Sequence, residues 1–163
     1  MPQNLQAEHA LLRYTEGDER QWWSVQGQHY QADWQATDQV AQRAIDQGLI
    51  GRFGALEKTN GGQTQRSSLS LSGQREDDDQ SQQFNLYAVD YRLNLFSNFT
   101  YFLGDPIRGD QFEQVDRRQI FGGNLQQTWR SAWQGRAMST RVGSQLRHDY
   151  IREVGLHLTE QRA

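Results

Sequence analysis

The chain has no cysteine, which excludes a disulfide framework and any thiolate metal site. It has no apolar run approaching the ~20 residues that a membrane-spanning helix requires. The first residues, MPQNLQAEHALLRY, lack a basic head followed by an apolar stretch, so no signal peptide is read there. The net charge of −3 is too small to suggest nucleic acid as a partner or a patch for acidic lipid. Apolar residues are scarce as well. At 35% they leave a soluble domain of 163 residues little to set against its conformational entropy. Aromatic residues run the other way: 11% of the chain, five Trp among them, argues against disorder. A barrel with a wet lumen resolves the tension, because only every second strand residue has to meet lipid.

Alternation supports that resolution. In NLYAVDYRLNLFSNFTYFL (residues 85–103), Tyr87, Val89, Tyr91, Leu93, Leu95, Phe99 and Tyr101 fall on one phase. Asp90, Arg92, Asn94, Asn98 and Thr100 fall on the other. Successive strand side chains point to opposite faces, so the segment predicts one apolar, aromatic face and one charged, amide-rich face. Its length exceeds the ~5–6 residues usual for globular strands and suits a tilted membrane strand of ~9–11 residues or more. On this reading the aromatic phase faces lipid and the charged phase faces a lumen.

Six strands are expected, at about residues 9–14, 21–30, 64–74, 82–103, 117–130 and 136–150. Their connections run short, long, short, long, short, which in a meander gathers the short turns at one end of the sheet. Membrane barrels have that asymmetry. Trp22, Trp23, Trp129 and Trp133 lie beside short turns, where an interfacial aromatic girdle would put them. DQVAQRAIDQ (residues 38–47) has helical spacing inside the first long connection. Thr37 or Asp38 is available as N-cap and Gly48 as stop. The fold class is therefore all-β: an antiparallel meander of about six long strands forming a curved partial β-barrel wall, with a short helix in a long loop.

Catalytic and metal chemistry finds little footing. The four His form no HExxH or close pair, no GxSxG elbow occurs, and Glu76–Asp79 lacks the ligand spacing of an EF-hand. The plain reading of that acidic run is a solvated turn. Gly61-Gly62 and Gly122-Gly123 fit no phosphate loop and read as bulges or bends. Asp90/Arg92 and Arg147/Asp149 read as polar lumen wall, or more plainly as ion pairs. Asn98-Phe99-Thr100 matches a glycosylation sequon that a bacterial barrel strand makes irrelevant. No enzyme, cofactor or metal site is expected.

Four segments together carry a resemblance. LFSNFTYFL (95–103) is followed closely by GDQFEQVDRR (109–118). ATDQVAQRAIDQGLIGRFGALEKTNGG (36–62) leads into a strand, and GSQLRHDYI (143–151) looks like a strand entering an extracellular loop. Taken in chain order, they resemble the barrel portion of bacterial TonB-dependent outer-membrane receptors. The resemblance implies a barrel of about 22 strands, of which residues 1–163 form roughly a quarter. The plug domain, the TonB-contacting segment and the remaining strands are absent from these residues.

It also implies localisation in the outer membrane and active uptake of a scarce nutrient such as a ferric siderophore. The implied partners are outer-membrane lipid, the plug domain of the same receptor, the TonB complex acting through the missing N-terminal part, and a small ligand such as a metal chelate. Ligand contacts would come from loops and lumen-facing strand ends: Arg43, Arg52, Lys58, Arg92, Asn94, Asn98, Arg108, Asp110 and Arg147. The rival reading is a soluble β-sandwich module binding a carbohydrate-type ligand, which needs a second sheet over the aromatic stripe. An isolated fragment is expected to aggregate or to need detergent.

Overall fold

The computed structural model describes residues 4–36 and 39–162. Its strands are β1 (Gln6–Gly17), β2 (Gln21–Gln35), β3 (Gly61–Glu76), β4 (Gln80–Ser97), β5 (Phe112–Trp133) and β6 (Arg136–Leu158). They form one open antiparallel sheet in sequence order, the meander expected from the alternation. All six strands outrun their sequence-based bounds at one end or both, except that β4 stops at Ser97 rather than reaching residue 103.

The early stop has a local cause. The Asn98 side-chain oxygen accepts the Tyr101 backbone N–H at 2.7 Å. Tyr101 itself takes a left-handed φ of 61°, which no strand can continue. Phe99 and Tyr101 therefore leave the strand, and the aromatic stripe ends at Leu95.

The short connections are tight. Asp18 closes the first by accepting the N–H groups of Arg20 and Gln21, both at 2.8 Å. These bonds hold its carboxyl below the ordinary carboxylate range. The second turn, in the acidic run, is ion-paired rather than merely solvated: Arg20 reaches Asp78, Arg75 reaches Asp77 and Arg130 reaches Glu76. The third turn has Gln134 at φ 50° and Gly135 at φ 75°, the backbone signs of a type I′ hairpin.

The predicted helix is shorter than its periodic segment. α1 spans Gln42–Asp46, with Ala41 at the N-cap and no side-chain capping bond. Thr37 and Asp38, the expected caps, lie outside the described residues. Gly48 does stop the helix. At φ 69° it donates to the Ile45 carbonyl while Leu49 donates to Ala44, a Schellman pair.

The glycine pairs are not bulges. The one register shift recorded among the paired strands lies at Arg117/Arg118, where Arg117 pairs Glu153 and Arg118 pairs Ile151. Gly122 instead lies under the Tyr87 ring, which an added Cβ would meet at 2.5 Å, and Gly73 lies under Phe84 at the same distance. Small residues here make room for large cross-strand neighbours.

Among the described residues, the buried apolar side chains are only Ala32, Ala44, Val89, Phe96 and Val115. The accessible surface is 12032 Å², against about 8,300 Å² for an ordinary folded chain of 18.9 kDa. A single layer has no second surface to pack on. What order there is beyond the sheet sits at the long-loop end. There the Gln111 side chain bonds Thr59, Asn60, Thr159 and the Arg162 backbone, and Arg162 lies 5.1 Å over the Phe96 ring.

Candidate functional site

Directly paired residues of antiparallel strands share a face, so the register sorts every strand residue onto one of two surfaces. The front face carries the even-numbered residues of β4, and the back face the odd-numbered ones. On the front face near the short turns, one row crosses all six strands as Tyr14, Val25, Leu71, Leu86, Gly123 and Leu146. Its neighbour toward the long loops reads Leu12, Gly27, Leu69, Ala88, Phe121 and His148. The row nearer the turns brings Trp23, Phe84 and Leu125 into line. Leu12, Leu69, Leu86, Leu125 and Leu146 are all more than half exposed.

Nearer the long loops the same face turns polar. There the row is Glu8, Gln31, Gln65, Arg92, Arg117 and Glu153. The back face has the opposite arrangement. Near the turns it reads Thr15, Ser24, Ser72, Asn85, Asn124 and Gln145. Near the loops it carries Tyr91, Leu93 and Leu95, but these stand between Arg66, Thr64 and Gly62 on β3 and Arg118, Asp116 and Gln114 on β5. The stripe that dominates the sequence is one strand wide from Tyr91 to Leu95 and two strands wide at Val89, which pairs Ile120. The apolar band on the other face is six strands wide.

The polar half of the front face holds an open groove of about 770 Å³ lined by Gln31, Asp33, Gln63, Gln65, Asp90, Arg92, Asn94, Arg117, Arg152 and Glu153, among others. Arg92 Nε lies 3.1 Å from Asp90 Oδ1, and Arg117 Nη1 lies 3.1 Å from Glu153 Oε2. Gln119 donates to the other Asp90 oxygen at 3.3 Å, and Asn94 donates to Glu113.

Of the residues expected at a ligand site, Arg92 and Asn94 thus meet in this groove. Arg147 does not join them. It pairs Gly122 on the back face and grips Asp149 with two bonds of 2.7 and 2.8 Å. The two ion pairs expected to share one lumen wall therefore stand on opposite faces. Register is the reason, because parity along one strand says nothing about parity on another until the pairing is known.

Asn98 and Asp110 serve the loop itself. Asn98 is 2% exposed and ties Tyr101. Asp110 accepts the N–H groups of Gly104 and Asp105 and the Thr100 hydroxyl. Those donors, the Gly104 N–H foremost, hold its carboxyl at about 2. Arg43, Arg52, Lys58 and Arg108 are exposed on α1 or the long loops. Arg152 and Glu153 lie beyond residue 150, where the alternation ends the sixth strand, and Arg117 opens the predicted fifth strand with nothing in its own segment to mark it. Counted outward from the turn at Gln134-Gly135, the register sets Arg117 opposite Arg152, and the shift at Arg117/Arg118 moves its partner to Glu153.

One trio invites a chemical test. His29 Nδ1 and Ser67 Oγ lie 2.9 Å apart, and Asp90 pairs Ser67 on its other side. A nucleophilic triad needs the histidine between serine and carboxylate. Here the serine is in the middle, and β2 and β4 stand two strand spacings apart, roughly 9–10 Å. Asp90 thus orients no imidazole. No group of three or more His, Asp or Glu able to hold a metal ion occurs among the described residues. The arrangement suits polar and ionic recognition. Compared with known proteins, the chain matches no family model, no curated protein and no solved structure.

Proposed function

We propose that this chain is a stretch of outer-membrane β-barrel wall, with the front face turned to lipid near the short turns. The observation that carries the reading is the apolar band crossing all six strands on that face. A barrel exterior is apolar at the depth of the bilayer, flanked by aromatic side chains, and polar where strands continue beyond it. The band ends in Trp23, Trp129 and Trp133 toward the turns and in Tyr150 toward the loops. The opposite face at that depth is amide- and hydroxyl-rich, as a wet lumen requires. The β4 stripe of Val89, Tyr91, Leu93 and Leu95 then lines the inside of the barrel above the membrane, not its lipid surface.

Within that class, the barrel is that of a TonB-dependent receptor, and the activity is energy-dependent uptake of a scarce nutrient such as a ferric siderophore. The support is the resemblance carried by residues 36–62, 95–103, 109–118 and 143–151. The plug domain would fill the lumen, the TonB complex would act on the plug, and a small ligand would enter past the long loops. The wall catalyses nothing. The soluble sandwich reading needs a second sheet, and the described residues form one.

The chain's lack of cysteine makes the orientation test clean. Single cysteines at Leu125 and Gln126, labelled with an environment-sensitive fluorophore, are compared in phosphatidylcholine vesicles. Blue-shifted emission at 125 and water-like emission at 126 support the reading; the reverse ends it. Sequencing the gene on both sides of these codons tests the receptor class, through a plug-like domain upstream and further alternating strands downstream.

A further inference from the structure

We propose that the arginine end of the front-face groove is a docking site for the phosphate headgroup of an anionic lipid. The proposal rests on the reading that the apolar band of this face meets lipid. Four arginines, Arg92, Arg117, Arg118 and Arg152, line the groove across β4, β5 and β6, beside the carboxylates of Asp90 and Glu153; Arg118 is taken by Asp116. Asp33, the remaining acid of the groove, stands on β2, roughly 14 Å or more from β5 by strand spacing.

Arg92 and Arg117 already hold Asp90 and Glu153, at 3.1 Å each. Arg152 has no hydrogen-bonding or ionic partner among the described residues. It is also the residue left out of the ladder where Arg117 pairs Glu153 and Arg118 pairs Ile151. A bulge of this kind re-aims a side chain, and here it sets the unpaired cation beside the groove.

Height completes the argument. Arg117 lies four residues beyond Phe121, the upper member of the band on β5, hence about 13 Å along the strand and roughly 10 Å along the normal of a tilted barrel. The bilayer's polar layer spans about 5–7.5 Å on each side, so the Arg117 backbone stands just above it and its long side chain reaches down to the headgroup phosphates. A phosphate held by Arg152 and Arg117 would leave its acyl chains to run down over Phe121 and Leu146. Guanidinium groups suit this ligand because their planar donors match phosphate oxygens in pairs.

The test titrates the detergent-solubilised chain with short-chain phosphatidylglycerol or phosphatidylcholine and counts bound lipid by native mass spectrometry. The expected result is tighter binding of phosphatidylglycerol. Arg152→Gln should weaken it about fivefold, the usual effect of one juxtamembrane cation, with phosphatidylcholine unchanged. Arg108→Gln, on an exposed loop, controls for general electrostatics. Equal loss in both variants, or none in Arg152→Gln with its strand circular dichroism intact, overturns the site. So does displacement of the lipid by equimolar inorganic phosphate, which would make it an anion site without lipid selectivity. If the labelled 125 position stays wet and neither lipid binds, the membrane reading falls too. If 125 is lipid-exposed but Arg152 is silent, only the headgroup site falls.

Discussion

Asp110 does the work of a small scaffold. Its carboxylate gathers the backbone of Gly104 and Asp105 and the hydroxyl of Thr100, and this holds the loop between β4 and β5 in one shape. Its pKa is lowered from 3.8 to about 2, so the contribution is fully present above the unfolded value. It is lost as pH falls from 3.8 through about 2. Hydrogen exchange at the Gly104 and Asp105 amides should therefore lose its protection across that window, and Asp110→Asn should flatten the dependence. Unchanged protection at pH 2 would show that the loop is held by other contacts. Gly122 makes the complementary point about space. A Cβ there meets Tyr87 within 2.5 Å and the Leu146 carbonyl at 2.9 Å. Gly122→Val should thus destabilise the β4–β5–β6 unit by about 1–3 kcal/mol in a denaturant titration. The sequence presents Gly122 only as part of a glycine pair; that a tyrosine from β4 covers it depends on cross-strand register.

At the scale of the element, the hairpins were the most legible part of the chain. Short polar turns and strict alternation located all six strands, because a two-fold side-chain period is a local property. Strand ends were less so. Phe99 and Tyr101 keep the alternating phase of β4 to residue 103, yet the Asn98 side chain has already turned the backbone. The alternation predicts β6 only to residue 150, whereas it continues to Leu158 past the shift that frees Arg152. The helix spans Gln42–Asp46 behind Ala41, which offers no capping side chain. The β5–β6 turn remains improvable. Gln134 holds a left-handed backbone conformation that asparagine adopts more readily, and Asn-Gly is the preferred pair for this hairpin. Gln134→Asn should raise stability by about 0.5 kcal/mol, measured as a shifted denaturation midpoint. A decrease would mean that the turn does not keep this geometry in solution.

For the whole molecule, the candidate site was half legible. Arg92 and Asn94 were found from the alternation of one strand, and they do line one groove. Arg147 was assigned to the same wall, and the pairing sets it on the other. The face of the sheet that meets lipid on the proposed reading was likewise concealed. The longest apolar stripe runs along β4, joined on β5 only by Ile120 beside Val89, whereas the six-strand band is assembled from short pieces such as Leu69–Leu71, Phe84–Leu86 and Phe121–Leu125. A charge placed in that band should be costly only in a bilayer. Leu86→Arg is expected to destabilise the inserted sheet by about 2–4 kcal/mol, and Ser70→Arg on the back face far less. Equal costs would argue that both faces are wet.

The most direct test of orientation is a spin-label scan along β4, one residue at a time from Phe84 to Leu95, in phosphatidylcholine vesicles. Oxygen, which concentrates in lipid, and a water-soluble nickel chelate serve as the two relaxants. Lipid exposure at Phe84, Leu86 and Ala88, fading by Arg92, with Tyr91, Leu93 and Leu95 never lipid-exposed, is the expected result. Lipid exposure of Tyr87, Val89, Tyr91, Leu93 and Leu95 would contradict it and turn the sheet over.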